Sequence, residues 1–170
     1  MYLHDKSSQF LSLIESNKGI IYKVTNLYCK DLEDRKDLVQ EIILQLWKSF
    51  ENYNERFKHS TWIYKIALNV SISFYRKEIR RKEISNPFPD GIFNVMDIQQ
   101  DGESGANIAL LECFISELRE LDKALVLLYL EEKSQKEISE IIGISETNVA
   151  TKIARIKVLL KQKFSLLKKE

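Results

Sequence analysis

The chain has 170 residues, 26 basic and 25 acidic side chains, a formal net charge of +1, five glycines and two prolines. That length allows one or two small domains, and few helix breakers beside abundant Leu, Ile, Lys and Glu point to an all-α fold. No apolar run approaches the ~18–20 residues of a membrane span, the start Met1-Tyr2-Leu3-His4-Asp5-Lys6 lacks a signal-peptide layout, and Cys29 and Cys113 form no metal-ligand pattern; the expectation is a cytoplasmic protein with two buried thiols.

The N-terminal segment reads as four helices. The first runs from about Lys6 to Ser16 and the second from about Gly19 to Lys30, with Ile20, Ile21, Val24, Leu27 and Tyr28 inward. A polar stretch, Asp31 to Lys36, leads to a third helix, Asp37 to Phe50. Its Leu38, Val39, Ile42, Ile43, Leu46, Trp47 and Phe50 form one broad apolar face. The polar residues Asp37, Gln40, Glu41, Gln45 and Lys48 are left outside, a pattern that by periodicity alone describes a solvated helix face. The fourth helix follows Ser60, a candidate N-cap, and reaches about Lys82, with Trp62, Ile63, Ile66, Ala67, Val70 and Phe74 inward.

Between the third and fourth helices, Asn52 to Ser60 is polar but holds Tyr53 and Phe57 beside Arg56 and Lys58. Rings next to cations suit an unstacked base and its phosphates. Trp62 fits that role or plain core packing equally well. Arg76, Lys77, Arg80, Arg81 and Lys82 make a basic helix end. Cations there favour the helix dipole and are equally suited to phosphate contact, which gives affinity without sequence choice.

Charge is segregated along the chain. Residues 1–82 hold 15 basic and 10 acidic side chains, 83–112 hold six acidic and no basic ones, and 113–170 hold 11 basic and nine acidic ones. The average thus hides two mildly basic ends around an acidic middle. Residues 83–107 contain both prolines and three of the five glycines and read as a flexible linker. Three parts follow: 1–82, the linker 83–107, and 108–170.

The C-terminal part carries helices from about Ile108 to Leu118 and from about Leu121 to Tyr129, then a helix-turn-helix. Ser134 to Ile142 makes the first short helix, with Ser134 and Glu137 spaced as a capping box. Gly143 suits the left-handed residue at its end. Ser145 caps a long second helix reaching about Leu167, whose apolar stripe runs Val149, Ile153, Ile156, Leu160, Phe164 and Leu167. That stripe turns Glu146, Thr147, Asn148, Thr151, Lys152 and Arg155 outward at the end that enters the major groove in DNA-binding units. Taken alone, this is also the pattern of an ordinary helical hairpin.

Asp37-Leu38-Val39-Gln40-Glu41-Ile42-Ile43-Leu44-Gln45-Leu46-Trp47 resembles the signature helix of bacterial RNA polymerase sigma factors, and Phe57 to Asn69 resembles their downstream-promoter segment. With the acidic linker and terminal helix-turn-helix in the same order, the whole chain resembles the small extracytoplasmic function (ECF) sigma factors. The resemblance implies a non-enzymatic subunit, without cofactor or small-molecule substrate, that directs polymerase to promoters. It implies that Asp37, Gln40, Glu41, Gln45 and Lys48 dock on the clamp of the polymerase largest subunit, with the flap as a second contact. It assigns Tyr53, Arg56, Phe57, Lys58, Trp62, Lys65, Asn69, Arg76 and Arg80 to the minus-10 element. Ser145, Glu146, Thr147, Asn148, Thr151, Lys152 and Arg155 fall to the minus-35 element. It also implies an anti-sigma partner, association with the nucleoid in the holoenzyme, and a linker that threads into polymerase through Asp90, Asp97, Asp101 and Glu103.

Some positions depart from the family pattern. Ala150 stands where Lys is frequent, Lys152 where Arg is, and Leu68 and Ser73 where Arg and Asp are. Lys152 lacks the planar fork that pairs bidentately with guanine, so the promoter sequence does not carry over. The competing reading is a stand-alone helix-turn-helix regulator, which has no need of the Asp37–Trp47 helix. An enzyme finds no support: His4 and His59 are isolated, and no Gly-rich phosphate loop or nucleophile–base arrangement is visible.

Overall fold

A computed structural model describes residues 2–85 and 102–167, which form seven helices and no strand. The N-terminal domain contains α1 (Tyr2–Tyr28), α2 (Leu32–Phe50) and α3 (His59–Ser85). The C-terminal domain contains α4 (Gly102–Ser116), α5 (Glu120–Leu130), α6 (Gln135–Ile142) and α7 (Glu146–Leu167). Asp90, Asp97 and Asp101 lie outside the described residues, as does the side chain of Glu103.

The two expected N-terminal helices are one. Their apparent break, Ser16-Asn17-Lys18-Gly19, stays helical, with Ser16 Oγ and Asn17 Nδ2 folded back to donate to the carbonyls of Ser12 and Leu13, each at 2.9 Å. The stripe Phe10, Ile14, Ile21, Val24, Tyr28 continues unbroken through it. A mid-helix glycine costs about 0.5–1 kcal/mol, which burying one Ile or Phe outweighs. The polar stretch Asp31–Lys36 is the opening of α2. Asp31 accepts from the Glu33 and Asp34 amides, both at 2.9 Å. Arg35 reaches back to the carbonyls of Cys29 and Lys30 at 3.0 and 3.1 Å, covering the end of α1.

Helix α3 begins at His59, so Ser60 sits inside its first turn rather than at its cap. Its most buried residues are Ile63, Tyr64, Ala67, Leu68 and Ser71, while Trp62, Ile66, Val70 and Phe74 are half-buried. The expected inward face was therefore too narrow and turned to one side. The cause is that α3 packs not only on α1 and α2 but also on α5 and α6.

In the C-terminal domain the capping box forms: Ser134 Oγ accepts from the Glu137 amide at 3.2 Å, and the Glu137 carboxylate accepts from the Ser134 amide at 3.0 Å. Gly143 closes α6 at φ 82°, in the left-handed region. Ser145 Oγ accepts from the Asn148 amide at 3.3 Å to cap α7. Ser139 Oγ donates to the Ile144 carbonyl at 2.6 Å, locking the corner. Leu125, Leu128, Ile138, Ile141, Val149, Ile153 and Ile156 fill the core.

Two further expectations are corrected. Cys29 is buried, which raises its thiol pKa, but Cys113 is exposed on α4. The stretch 83–107 is helical at both ends: α3 continues to Ser85, and α4 takes in Gly102 and Gly105. Glycine content alone misplaced those boundaries, because a helix packed on its neighbours tolerates a glycine on an open face, and nothing lies within 4 Å of where a Gly105 Cβ would stand.

Candidate polymerase and nucleic-acid interfaces

The core-facing residues Leu38, Ile42 and Leu46 of α2 leave the opposite face free. Asp37, Gln40, Glu41 and Lys48 are exposed there and Gln45 is half-buried. Gln45 Nε2 donates to Glu41 Oε1 at 2.7 Å, which fixes both side chains. In their midst stands Leu44, 44% exposed. The sequence reading had selected only polar residues and passed over it; an apolar residue out of phase with the inward stripe was the available signal.

The loop between α2 and α3 is built on rings. Tyr53 lies 4.9 Å from Trp62 and 5.1 Å from His59, and its hydroxyl donates to the Phe57 carbonyl. Trp62 in turn packs on Phe50 at 6.3 Å. Trp62 is thus a half-buried platform whose edge meets the loop, both core and surface. Phe57 is 36% exposed, with the Arg56 guanidinium 5.9 Å from its ring centre. Glu55 holds φ 56°, a conformation that costs a non-glycine residue about 1–2 kcal/mol.

Along α3, Trp62, Lys65, Asn69, Arg76 and Arg80 fall within about 60° of one another at 3.6 residues per turn. They lie opposite Ala67 and Ser71, which are buried. Lys65, Asn69, Arg76 and Arg80 are all exposed. The stripe also contains exposed Ser73, which the sequence reading treated only as a departure from family pattern. Arg76 and Lys58 are engaged: Arg76 Nε meets Glu120 Oε1 at 2.9 Å and Lys58 Nζ meets Glu137 Oε1 at 3.2 Å, both carboxylates belonging to the C-terminal domain. Glu120 is held below the ordinary carboxyl range, chiefly by its own backbone amide and then by Arg76. Glu137 is held at about 2 by the Ser134 amide, Lys58 and the Ser134 hydroxyl.

On α7, Thr147, Asn148, Thr151 and Arg155 share one exposed stripe, with Lys152 half-buried at its edge. Ser145 is exposed but its oxygen serves as the helix cap, and Glu146 is exposed at the first turn, away from that stripe. Thr151 Oγ1 donates to the Thr147 carbonyl at 2.9 Å, leaving its methyl group outward. Beyond Arg155 the outward side turns apolar at Val158, Leu159 and Leu166, residues the sequence reading did not select.

Two small helical domains, one exposing an aromatic loop beside a cationic helix stripe and the other a capped helix-turn-helix, have the architecture of a two-domain transcription protein. Comparison with known proteins agrees. Residues 13–81 match the Sigma-70 region 2 family model and residues 108–160 match the Sigma-70, region 4 model. The ECF RNA polymerase sigma factor SigM of Bacillus subtilis is 28% identical over 83% of this chain and 86% of its own length. SigW of the same organism is 26% identical over 86% of this chain and 83% of its own. In three dimensions the chain resembles CnrH, solved in complex with the cytosolic domain of CnrY, with a TM-score of 0.67 and 17% identity over 94% of this chain and 90% of that one. It also resembles the sigma factor RpoE of Bartonella quintana, solved with the anti-sigma factor NepR, with a TM-score of 0.65 and 15% identity over 95% of this chain and 97% of that one. The chain belongs to the ECF sigma factors of bacterial RNA polymerase.

Proposed function

We propose that the chain directs promoter-specific initiation through three surfaces: α2 docks core polymerase, the loop and stripe of α3 take the minus-10 element, and α7 takes the minus-35 element. The observation that carries the division of labour is the outward stripe of α3, whose polar and cationic side chains stand opposite its buried face and continue from the aromatic loop. Phe57 is the exposed ring on which a flipped base stacks, and Arg56 and Lys65 hold neighbouring phosphates. Asn69, Arg76 and Arg80 extend the track. Asp37, Gln40, Glu41, Gln45 and Lys48, with Leu44 among them, form the contact to the largest-subunit clamp; Val158, Leu159 and Leu166 suit the flap.

The parts are the N-terminal domain through Ser85 and the C-terminal domain from Gly102, with the segment between them as the connector. The role is non-enzymatic. No helix among the described residues is long and apolar enough to cross a membrane, and the site of action is the nucleoid, in the cytoplasm. Because one structural neighbour was solved with an anti-sigma factor and another with the cytosolic domain of CnrY, an anti-sigma protein is the expected regulator. In vitro transcription with purified core polymerase tests the role. Promoter-specific transcripts must require this protein; polymerase-independent footprinting on a palindrome, with no transcript, favours the stand-alone regulator instead.

A further inference from the structure

Within the loop between α2 and α3, Glu55 sits at φ 56°, in the left-handed region. A non-glycine residue stays there only when its surroundings over-determine it. Much of that constraint comes from one side chain. The Tyr53 hydroxyl donates to the Phe57 carbonyl, bridging across Asn54, Glu55 and Arg56. Under the bridge, Asn54 Oδ1 accepts from the Arg56 amide at 3.2 Å. The Tyr53 amide donates to the Phe50 carbonyl at 3.3 Å, tying the base of the loop to the end of α2. The Tyr53 ring is gripped in turn, 4.9 Å from Trp62 and 5.1 Å from His59, both on α3. Tyr53 is half-buried; burial, and then Glu55, raise the pKa of its hydroxyl, which keeps the phenol in its donating form. Phe57 differs: its ring is 36% exposed, with the Arg56 guanidinium 5.9 Å from its centre.

We propose that Tyr53 is a positioning residue for the minus-10 strand: its hydroxyl clasps the Phe57 carbonyl and so presents the Phe57 ring to an unstacked base that Tyr53 itself does not touch. From sequence the two aromatics share one role, contact with DNA; their surroundings divide it. Tyr53 spends its ring on Trp62 and His59 and its hydroxyl on a backbone carbonyl. Phe57 gives the clasp only its carbonyl and leaves its ring at the surface. A bond to that carbonyl fixes the Phe57 backbone while its side chain can still turn onto a base. Order present before binding is not lost on binding, so the clasp raises affinity without adding a contact to DNA. This inference rests on the reading of Phe57 as the stacking ring.

The test uses holoenzyme assembled from the full chain and purified core polymerase, with core polymerase alone as the baseline. The probe is a short random-sequence single-stranded DNA carrying 2-aminopurine in place of adenine, whose fluorescence falls when the base stacks on a ring. Tyr53→Phe keeps the ring and removes only the clasp; it is expected to weaken binding about fivefold, the loss for one hydrogen bond. Phe57→Ala is expected to weaken binding about tenfold, the scale of one stacked base. Because Tyr53 acts through Phe57, adding Tyr53→Phe to Phe57→Ala should cost less than about twofold more. Losses that multiply would make Tyr53 a base contact in its own right and overturn the proposal. Full binding by Tyr53→Phe, beside a loss in Phe57→Ala, overturns it too and leaves the reading of Phe57 standing. Binding that survives Phe57→Ala sinks that reading and the proposal with it. Hydrogen exchange at the Arg56 amide of the full chain reads the clasp without DNA: Tyr53→Phe should speed it by about threefold or more, and unchanged exchange overturns the clasp whatever the binding shows.

Discussion

Glu137 has two partners, and separating them predicts a pH-dependent stability. Its carboxylate accepts from the Ser134 amide and hydroxyl, each at 3.0 Å, and from Lys58 at 3.2 Å. A carboxyl moved from 4.5 to about 2 corresponds to a ceiling of about 3 kcal/mol. Lys58 is 77% exposed, so its share is screened to about 0.5 kcal/mol or less, while a helix cap contributes about 1 kcal/mol. The net expectation is about 1–1.5 kcal/mol. Because the folded pKa is depressed, the charge-dependent part of this contribution is fully present above about pH 4.5 and is lost as pH falls toward 2. Glu137→Ala should lower the melting temperature at pH 7 by about 2–6 °C. Glu137→Gln keeps the box geometry and should cost under about 0.5 kcal/mol at pH 7, but it removes the charge. Its destabilisation relative to wild type should therefore shrink between pH 4.5 and 3. Circular dichroism melts of wild type, both variants and Lys58→Ala across that range provide the measurement. If Glu137→Gln costs as much as Glu137→Ala at pH 7, the carboxylate's charge rather than the reciprocal cap holds α6, and the division made here is wrong.

Other outcomes follow from single residues. Arg155→Ala, exposed on the recognition stripe, should weaken binding to an upstream-element duplex by about 1–3 kcal/mol while core-polymerase affinity holds; loss of polymerase affinity instead contradicts the assignment of α7. Leu44→Glu should lower core-polymerase affinity about tenfold, as for an apolar anchor at an interface centre, and leave the melting temperature unmoved because Leu44 faces solvent. Gly19→Ala, with nothing within 4 Å of the new Cβ, should stabilise α1 by about 0.5–1 kcal/mol, measured by urea unfolding. Gly143→Ala should cost about 1–2 kcal/mol, since the left-handed φ of 82° disfavours a Cβ whatever the space around it.

What the sequence made legible follows the reach of its local rules. The corner of the helix-turn-helix was readable because Ser134, Glu137, Gly143 and Ser145 each satisfy a backbone requirement within three residues of themselves. The inward stripes of α2 and α7 were readable because each helix rests mainly on one side. α3 was misread because four helices surround it, so apolar residues are spread around its circumference and periodicity loses its phase. The false break at Ser16–Gly19 came from weighing local propensity, worth about 1 kcal/mol, above a stripe that continues past it. The seam between domains left no readable sign: Lys23, Glu120 and Glu131 look like ordinary surface charges until the fold brings them together.

The seam between the domains bears on how polymerase docks. Lys23 meets Glu131 at 2.7 Å, Lys58 meets Glu137 at 3.2 Å and Arg76 meets Glu120 at 2.9 Å across the domains; at about 0.2–1 kcal/mol each they add to an apolar core that runs from one domain into the other. The outward face of α2 takes no part in those pairs, so the proposed docking to polymerase there does not require the domains to part. The charge-reversed Glu120→Lys, Glu131→Lys chain should accordingly bind core polymerase within about twofold of wild type. Fluorescence anisotropy with labelled core provides the measurement. A tenfold gain in core affinity would mean that the seam also covers a polymerase-docking surface, and that the domains part before assembly.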